Sequence, residues 1–249
     1  MDNLEADRKD ISDWLLMQSP IVQKNSTILS FKEGGVMLHI DKNVPKTFIP
    51  RMPTSAAPSE NDTTARITVA PDLVGCIIGY ARVDSDVLSS VYMKTKGKDQ
   101  FKGGYIISEM PYTHCIKPTD KLVYDSSRTL EHWLVSYNKQ SLQVKPIEVG
   151  KIFISSILTQ NRSSIEPIKT ISAYISHTCT NGLRFSKNNV LPAGYYKADI
   201  IFKSHDTRSV DNESDFIIRK CNTGEYTEAK NQSAALLSYA TLAPEYLKW

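Results

Sequence analysis

The spacing of apolar positions along this chain changes near residue 20. Before it, Leu4, Ile11, Trp14 and Leu15 stand between charged residues on one helical face, which predicts a short amphipathic helix over residues 3–18. Such a helix either lays Trp14 on the rest of the chain or docks on a partner. Pro20 marks its expected end. Beyond it, STILSFK and, past the turn at Glu33-Gly34-Gly35, VMLHI are runs of branched and aromatic residues bounded by turn formers, and each predicts a strand. Pro45, Pro50 and Pro53 make KNVPKTFIPRMP an extended connection, because each proline fixes its own φ and pushes its predecessor out of the helical region. SAAPSENDTT has the composition of an exposed loop.

ARITVAP predicts a strand with Ile67 and Val69 on one face and Arg66, Thr68 and Ala70 on the other. Pro71 suits the first turn of a following helix and Asp72 its positive end. The run LVGCIIGYA is apolar almost all round, so that helix should be buried. SDVLSSVYMKTKGKDQFKGG reads as an irregular excursion whose basic cluster (Lys94, Lys96, Lys98, Lys102) is a solvated face or a binding site. GYIISEM, KLVYD, HWLVSYN and GKIFISSIL are strand candidates. TQNRSSIEP, residues 159–167, is polar and turn-rich and marks a candidate boundary. After it IKTISAYI, YYKADIIFK and SDFIIRK predict strands, and NQSAALLSYATLAPEYLKW predicts a terminal helix. The order of elements predicts an α+β fold, with a curved, mostly antiparallel sheet and few helices. Its divisions are an N-terminal helix and linker (1–30), an α+β core (31–158) and a β-rich C-terminal region ending in a helix (159–249).

Charge narrows the partners. Thirty basic against 27 acidic residues leave +3, too balanced for the basic excess of a nucleic-acid surface. No apolar run approaches the roughly 20 residues that span a bilayer, and the acidic N-terminus lacks the features of a signal peptide. The expectation is an intracellular, soluble chain with no membrane partner. Cys76, Cys115, Cys179 and Cys221 are widely spaced, so reduced thiols are expected.

The familiar chemical signatures are missing: no GxxxxGK[ST], no GxGxxG after a strand, no HExxH and no GxSxG. No metal site is assigned; His114 beside Cys115 and His177 near Cys179 lack normal ligand spacings. What remains is a group of ionisable residues at strand ends. His39 can hydrogen-bond a ligand hydroxyl or carbonyl. Arg51, leaving a proline-fixed turn, and Arg66, opening the next strand, can each present a planar fork to a phosphate or carboxylate. Glu131, in Glu131-His132-Trp133, can orient a ribose hydroxyl or act as a base. Each has a structural alternative: a satisfied core histidine, arginines paired with Asp41, Glu60 or Asp62, and a solvated glutamate.

In their order these pieces resemble a family of small phage and prophage proteins. Its pattern is a strand ending in Tyr-His or a similar pair, an extended Pro-Arg-x-Pro turn, a variable loop and Arg-Ile/Val-x-x-Ser/Ala-Pro leading into a helix with a Cys. A Glu-x-Trp strand and a Gly-Lys-Ile strand close it. Here these are Leu38-His39, Pro50-Arg51-Met52-Pro53, Arg66-Ile67-Thr68-Val69-Ala70-Pro71 with Cys76, Glu131-His132-Trp133 and Gly150-Lys151-Ile152. Leu38 stands where the pattern has Tyr. The match covers about residues 36–157, roughly half the chain.

The arrangement also looks like the ADP-ribosyltransferase-like fold. That resemblance implies His39, Thr68 and Glu131 as catalytic residues. His39 would contact a nicotinamide ribose, Thr68 would line the pocket, and Glu131 would hold a ribose hydroxyl and stabilise an oxocarbenium charge. Arg51, Arg66 and Trp133 are the ligand-binding candidates, and NAD is the cofactor implied. The expected function is that of a phage-encoded accessory protein in the host cytoplasm, binding a host macromolecule or nucleotide without strong catalysis. NAD-dependent ADP-ribosyl transfer and a virion or assembly role are the alternatives, and homo-oligomerisation stays open.

Overall fold

A computed structural model describes residues 2–41, 43–53, 60–79, 105–123, 126–137, 141–160, 168–203 and 216–231 apart from 230. Helices α1 (Asp2–Leu16) and α2 (Pro20–Lys24) precede the long strand β1 (Ser26–Asp41). After an extended segment come β2 (Ile67–Val69), helix α3 (73–79), β3 (Tyr105–Pro118), the single turn α4 (Ser126–Thr129) and β4 (His132–Leu134). Then follow β5 (Ile147–Gln160), β6 (Ile168–His177), the small pair β7 (Leu183–Arg184) and β8 (Val190–Leu191), β9 (Gly194–Lys203), β10 (Phe216–Lys220) and helix α5 (223–229). The fold class is α+β, with antiparallel pairing throughout the described ladders.

The main sheet has eight strands, ordered β10-β9-β6-β5-β3-β4-β2, with β1 also on β3. Strand β3 is its hub. Its first half is flanked by β1 and β5, while Ile116 in its second half pairs with Trp133 of β4. Strand β4 pairs with β2, and Ala70, just past β2, bridges back to Leu38 of β1. Hydrogen bonds therefore run β3–β1–β2–β4–β3, so at this end the sheet closes on itself. Met37, Ile67, Val69, Met110, Cys115 and Leu134, with Phe48 and Val144, form one apolar cluster built on that ring.

Two further clusters fix what surrounds it. Ile11 of α1 and Val22 of α2 are buried with Ile116, Leu122 and Trp133, and Trp14 and Leu15 pack against them. Helix α3 buries Leu73, Val74, Ile77 and Ile78 with Leu38, Ile107, Ile175 and Ile200 from the sheet. Full burial of one such side chain contributes about 1.5–3 kcal/mol, so those four positions hold α3 firmly. The helix begins at residue 73: Asp72 lies before it and its Oδ1 accepts the Gly75 N–H at 2.9 Å, an N-cap contact. Pro71 thus precedes the cap instead of opening the helix.

Several predicted elements differ. STILSFK and VMLHI are one strand, not two. Glu33-Gly34-Gly35 does not end it; the pairing with β3 instead shifts register between Ser30 and Gly35. The absence of a side chain at Gly35 lets the Tyr112 ring lie over the strand, since a Cβ there would stand 2.7 Å from it. KLVYD is not a strand over its described residues 121–123. Leu122 and Val123 both donate to the Thr119 carbonyl in a turn, and they are apolar because they fill the core beneath α1. Pro20 opens α2 after α1 has ended at Leu16. The hairpin β7–β8 was not anticipated. Of the candidate boundary at 159–167, Thr159 and Gln160 belong to β5 and residues 161–167 lie outside the described residues. The basic cluster at 94–102 and nearly all of the predicted terminal helix lie outside the described residues.

Candidate functional site

A cleft opens where β1 and β2 separate. Leu38 and Ala70 exchange two backbone hydrogen bonds, of 2.7 and 2.9 Å. Continuing that register would set Ile40 opposite Thr68, but β1 does not continue it. Arg66 instead exchanges backbone bonds with Arg51, at 2.9 and 3.2 Å. Past β1, three prolines in 45–53 fix φ and remove donors, and that segment is bridged at Phe48, to Val144, and at Arg51, to Arg66. By the two-residue alternation of a strand, the backbone polar groups of Thr68 and Ile40 face the resulting gap.

His39 reaches into the gap. Its ring packs edge-on against Phe48, 4.9 Å between centroids, and its Nδ1 donates to the Thr68 carbonyl at 2.8 Å. A carbonyl can only accept, so Nδ1 carries a proton, and in the uncharged ring of that tautomer the lone pair is at Nε2. That nitrogen is buried without a hydrogen-bond partner and lies 3.8 Å from Asp41 Oδ2. His39 is thus only half a satisfied core histidine.

Glu131 comes from the far side of the cleft. Leu130 adopts φ 51°, a left-handed conformation uncommon for leucine, and His132 Nδ1 donates to its carbonyl at 2.6 Å. This turn delivers Glu131 beside Trp133, whose indole Nε1 donates to Glu131 Oε1 at 2.6 Å. The Arg66 guanidinium lies 4.4 Å from the centroid of the Trp133 ring, and its Nε is 3.6 Å from the same carboxylate oxygen. Arg66 Nη1 donates to the Asn61 carbonyl at 2.8 Å, while Nε has no hydrogen-bond partner although it is buried.

The cleft has a volume of about 390 Å³ and is lined by His39, Asp41, Thr68, Glu60, Arg66 and Glu131, with Cys76 and Thr129 among the remaining walls. One wall is α3, which can approach closely because Gly75 has no side chain: a Cβ there would lie 2.5 Å from the Thr129 carbonyl. Four of the six residues singled out from the sequence, His39, Thr68, Arg66 and Glu131, line this one cleft. Trp133 is wholly buried behind Glu131 and holds it in place without lining the opening. Arg51 is exposed and does not line the cleft either. It sits directly across the antiparallel bridge from Arg66, so the two side chains leave on one face.

Burial dominates the electrostatics. It holds the Glu131 carboxyl above its ordinary range, against the downward pull of the Trp133 hydrogen bond and Arg66, with Glu60 adding to the rise. It pulls the Arg66 guanidinium below its ordinary value, while Glu131, Glu60 and Asp62 act the other way. Burial, with Asp72, also pushes the Cys76 thiol up. Cys76 donates to the Leu38 carbonyl at 3.3 Å and is a packing donor, not a nucleophile.

Sequence reasoning weighed Asp41 and Glu60 only as partners for arginines, yet both line the cleft. Asp41 was findable, since it lies two residues beyond His39 on the same strand and so shares its face. Glu60 carried no such signal, since it belongs to no strand or helix. No helix among the described residues is long and apolar enough to cross a membrane. No family model, curated protein or solved structure matches this chain.

Proposed function

We propose that this chain is a phage-encoded accessory protein that binds a nucleotide of the NAD class, ribose inward, in the cleft between β1 and β2, and that it works in the host cytoplasm. The observation that carries the reading is the convergence of His39, Thr68, Arg66 and Glu131 on one cleft. A cleft of this size suits a nucleoside-sized ligand. The lone pair at His39 Nε2 and the Glu131 carboxylate are acceptors for ribose hydroxyls. Arg51, exposed on the same face, is the group for a phosphate that stays outside.

The core is proposed to be ADP-ribosyltransferase-like. In its support, a strand carrying His39, a strand leading into a buried helix and a later strand preceded by Glu131 surround a single cleft. A second reading, ADP-ribosyl transfer, is favoured by Glu131 itself. A carboxylate anchored by Trp133 and Arg66 is preorganised to stabilise positive charge as the glycosidic bond breaks and nicotinamide leaves with the bonding electrons.

Calorimetric titration with NAD tests the binding, run on the wild type and on the His39→Ala, Glu131→Ala double variant. The expected result is a dissociation constant of about micromolar order, some −8 kcal/mol, that disappears in a double variant whose circular dichroism is unchanged. Equal heats from the two proteins, or none from the wild type, would overturn the reading.

A further inference from the structure

The imidazole of His39 is held by a hydrogen bond at one edge and an aromatic contact against the ring. The bond, from Nδ1 to the Thr68 carbonyl at 2.8 Å, is the same whether or not the ring is charged, because Nδ1 carries a proton in both cases. A single bond of this kind does not set the tilt of a ring. Carbonyl oxygens accept over a broad range of directions, and the outer torsion of a histidine is soft. The other nitrogen adds no restraint, since Nε2 makes no hydrogen bond and Asp41 Oδ2, 3.8 Å away, is too far for one. What fixes the tilt is Phe48. Its ring meets the imidazole at 73° with centroids 4.9 Å apart, the edge-to-face arrangement that aromatic pairs favour.

Phe48 is itself anchored. Its backbone exchanges hydrogen bonds of 2.8 and 2.9 Å with Val144, its side chain is buried with Met37, Ile67 and Val69, and Pro45 and Pro50 restrict the chain on either side. It does not line the cleft, so any effect on a ligand passes through His39. Resting on the nucleotide-binding reading above, we propose that Phe48 is a positioning residue for that site, holding the His39 ring so that Nε2 is presented to a hydroxyl of the ligand. A hydroxyl suits either charge state of the ring, donating to the bare nitrogen or accepting from the protonated one. Without the Phe48 ring, binding must itself order the imidazole, which weakens the ligand without abolishing its site.

The test pairs NMR of the His39 ring in the labelled full chain with calorimetric titration of NAD. Phe48→Leu keeps an apolar side chain but removes the aromatic ring. Val144→Ala takes a neighbour out of the same cluster while leaving the Phe48 ring and the backbone bridge in place. The wild type is expected to show Overhauser contacts between the two rings and a slowly exchanging Nδ1 proton. Phe48→Leu is expected to lose that proton to exchange and to bind NAD about two- to tenfold more weakly, whereas Val144→Ala keeps both properties. Absence of the ring–ring contact in the wild type, a result that needs no variant to fold, would overturn the proposal. So would a Phe48→Leu protein with unchanged Nδ1 exchange and affinity, and either result leaves NAD binding intact. Equal losses in the two variants would overturn it as well, by assigning the effect to the cluster and not to the ring contact. No NAD binding by the wild type would overturn this proposal together with the reading it rests on.

Discussion

Glu131, Trp133 and Arg66 act as one unit. The indole fixes one carboxylate oxygen by a hydrogen bond and lies beneath the guanidinium that faces the same oxygen. Removing one member of a buried ion pair strands the other charge, so Arg66→Leu is expected to cost about 3–5 kcal/mol in urea unfolding, with Glu131→Gln added on top recovering most of the loss. The pH dependence gives the sign. A carboxyl held above its ordinary value of 4.5 contributes stability below that value and loses it as pH rises through the folded-state pKa. Without Arg66 that pKa rises further, so the deficit of Arg66→Leu against wild type should be larger near neutral pH than at pH 4.5. An equal deficit at both would show that the pair is not electrostatically coupled. At this scale the sequence marked which side chains could carry chemistry but not their contacts. Nothing in Glu131-His132-Trp133 says that the tryptophan would be a buried anchor and not a ligand surface. That depends on Trp133 facing Thr68 across β2 and β4.

The cleft owes its shape to two elements, a strand that is released from its neighbour and a helix pressed close. The glycines of α3 separate the requirements of contact and of helix formation. A Cβ at Gly75 would stand 2.5 Å from the Thr129 carbonyl, whereas one at Gly79 would meet only the Thr129 methyl at 3.6 Å. Gly75→Ala is therefore expected to destabilise by about 1–3 kcal/mol through overpacking and to weaken any ligand held in the cleft. Gly79→Ala should be neutral or gain up to about 1 kcal/mol from helix propensity. Thermal unfolding of both variants decides it, and equal behaviour would contradict the close approach. Elements were legible where burial and period agreed. In β2, Ile67 and Val69 are buried and Thr68 exposed, as alternation predicts, and the all-round apolar run of α3 is buried. They were illegible where a tertiary contact overrode local chemistry. Gly34-Gly35 reads as a turn until Tyr112 is seen lying over Gly35, and KLVYD reads as a strand until Leu122 and Val123 are seen packed against Ile11 of α1.

Across the whole molecule, buried histidines set the response to acid. Burial pushes His114, His132 and His177 below their ordinary 6.5, with desolvation the leading cause in each. The unfolded chain then takes up more protons than the folded one once pH falls below 6.5, so stability is present above that value and lost on the way down to the folded pKa values. Urea midpoints should drop between neutrality and about one pH unit below 6.5; a flat or rising profile would contradict three neutral, buried imidazoles. The α+β character and antiparallel pairing were readable from the order of runs. The closed ring was not, because it depends on one bridge between Leu38 and Ala70, 32 positions apart by their numbering. The central claim is that a ligand enters where β1 leaves β2. The most direct measurement is backbone amide and histidine side-chain NMR of the labelled chain on adding NAD. The expected shifts are at Ile40, Thr68 and the His39 ring, with little change at Ile217 on the far sheet edge. Shifts confined to other regions, or none at saturating NAD, would contradict it.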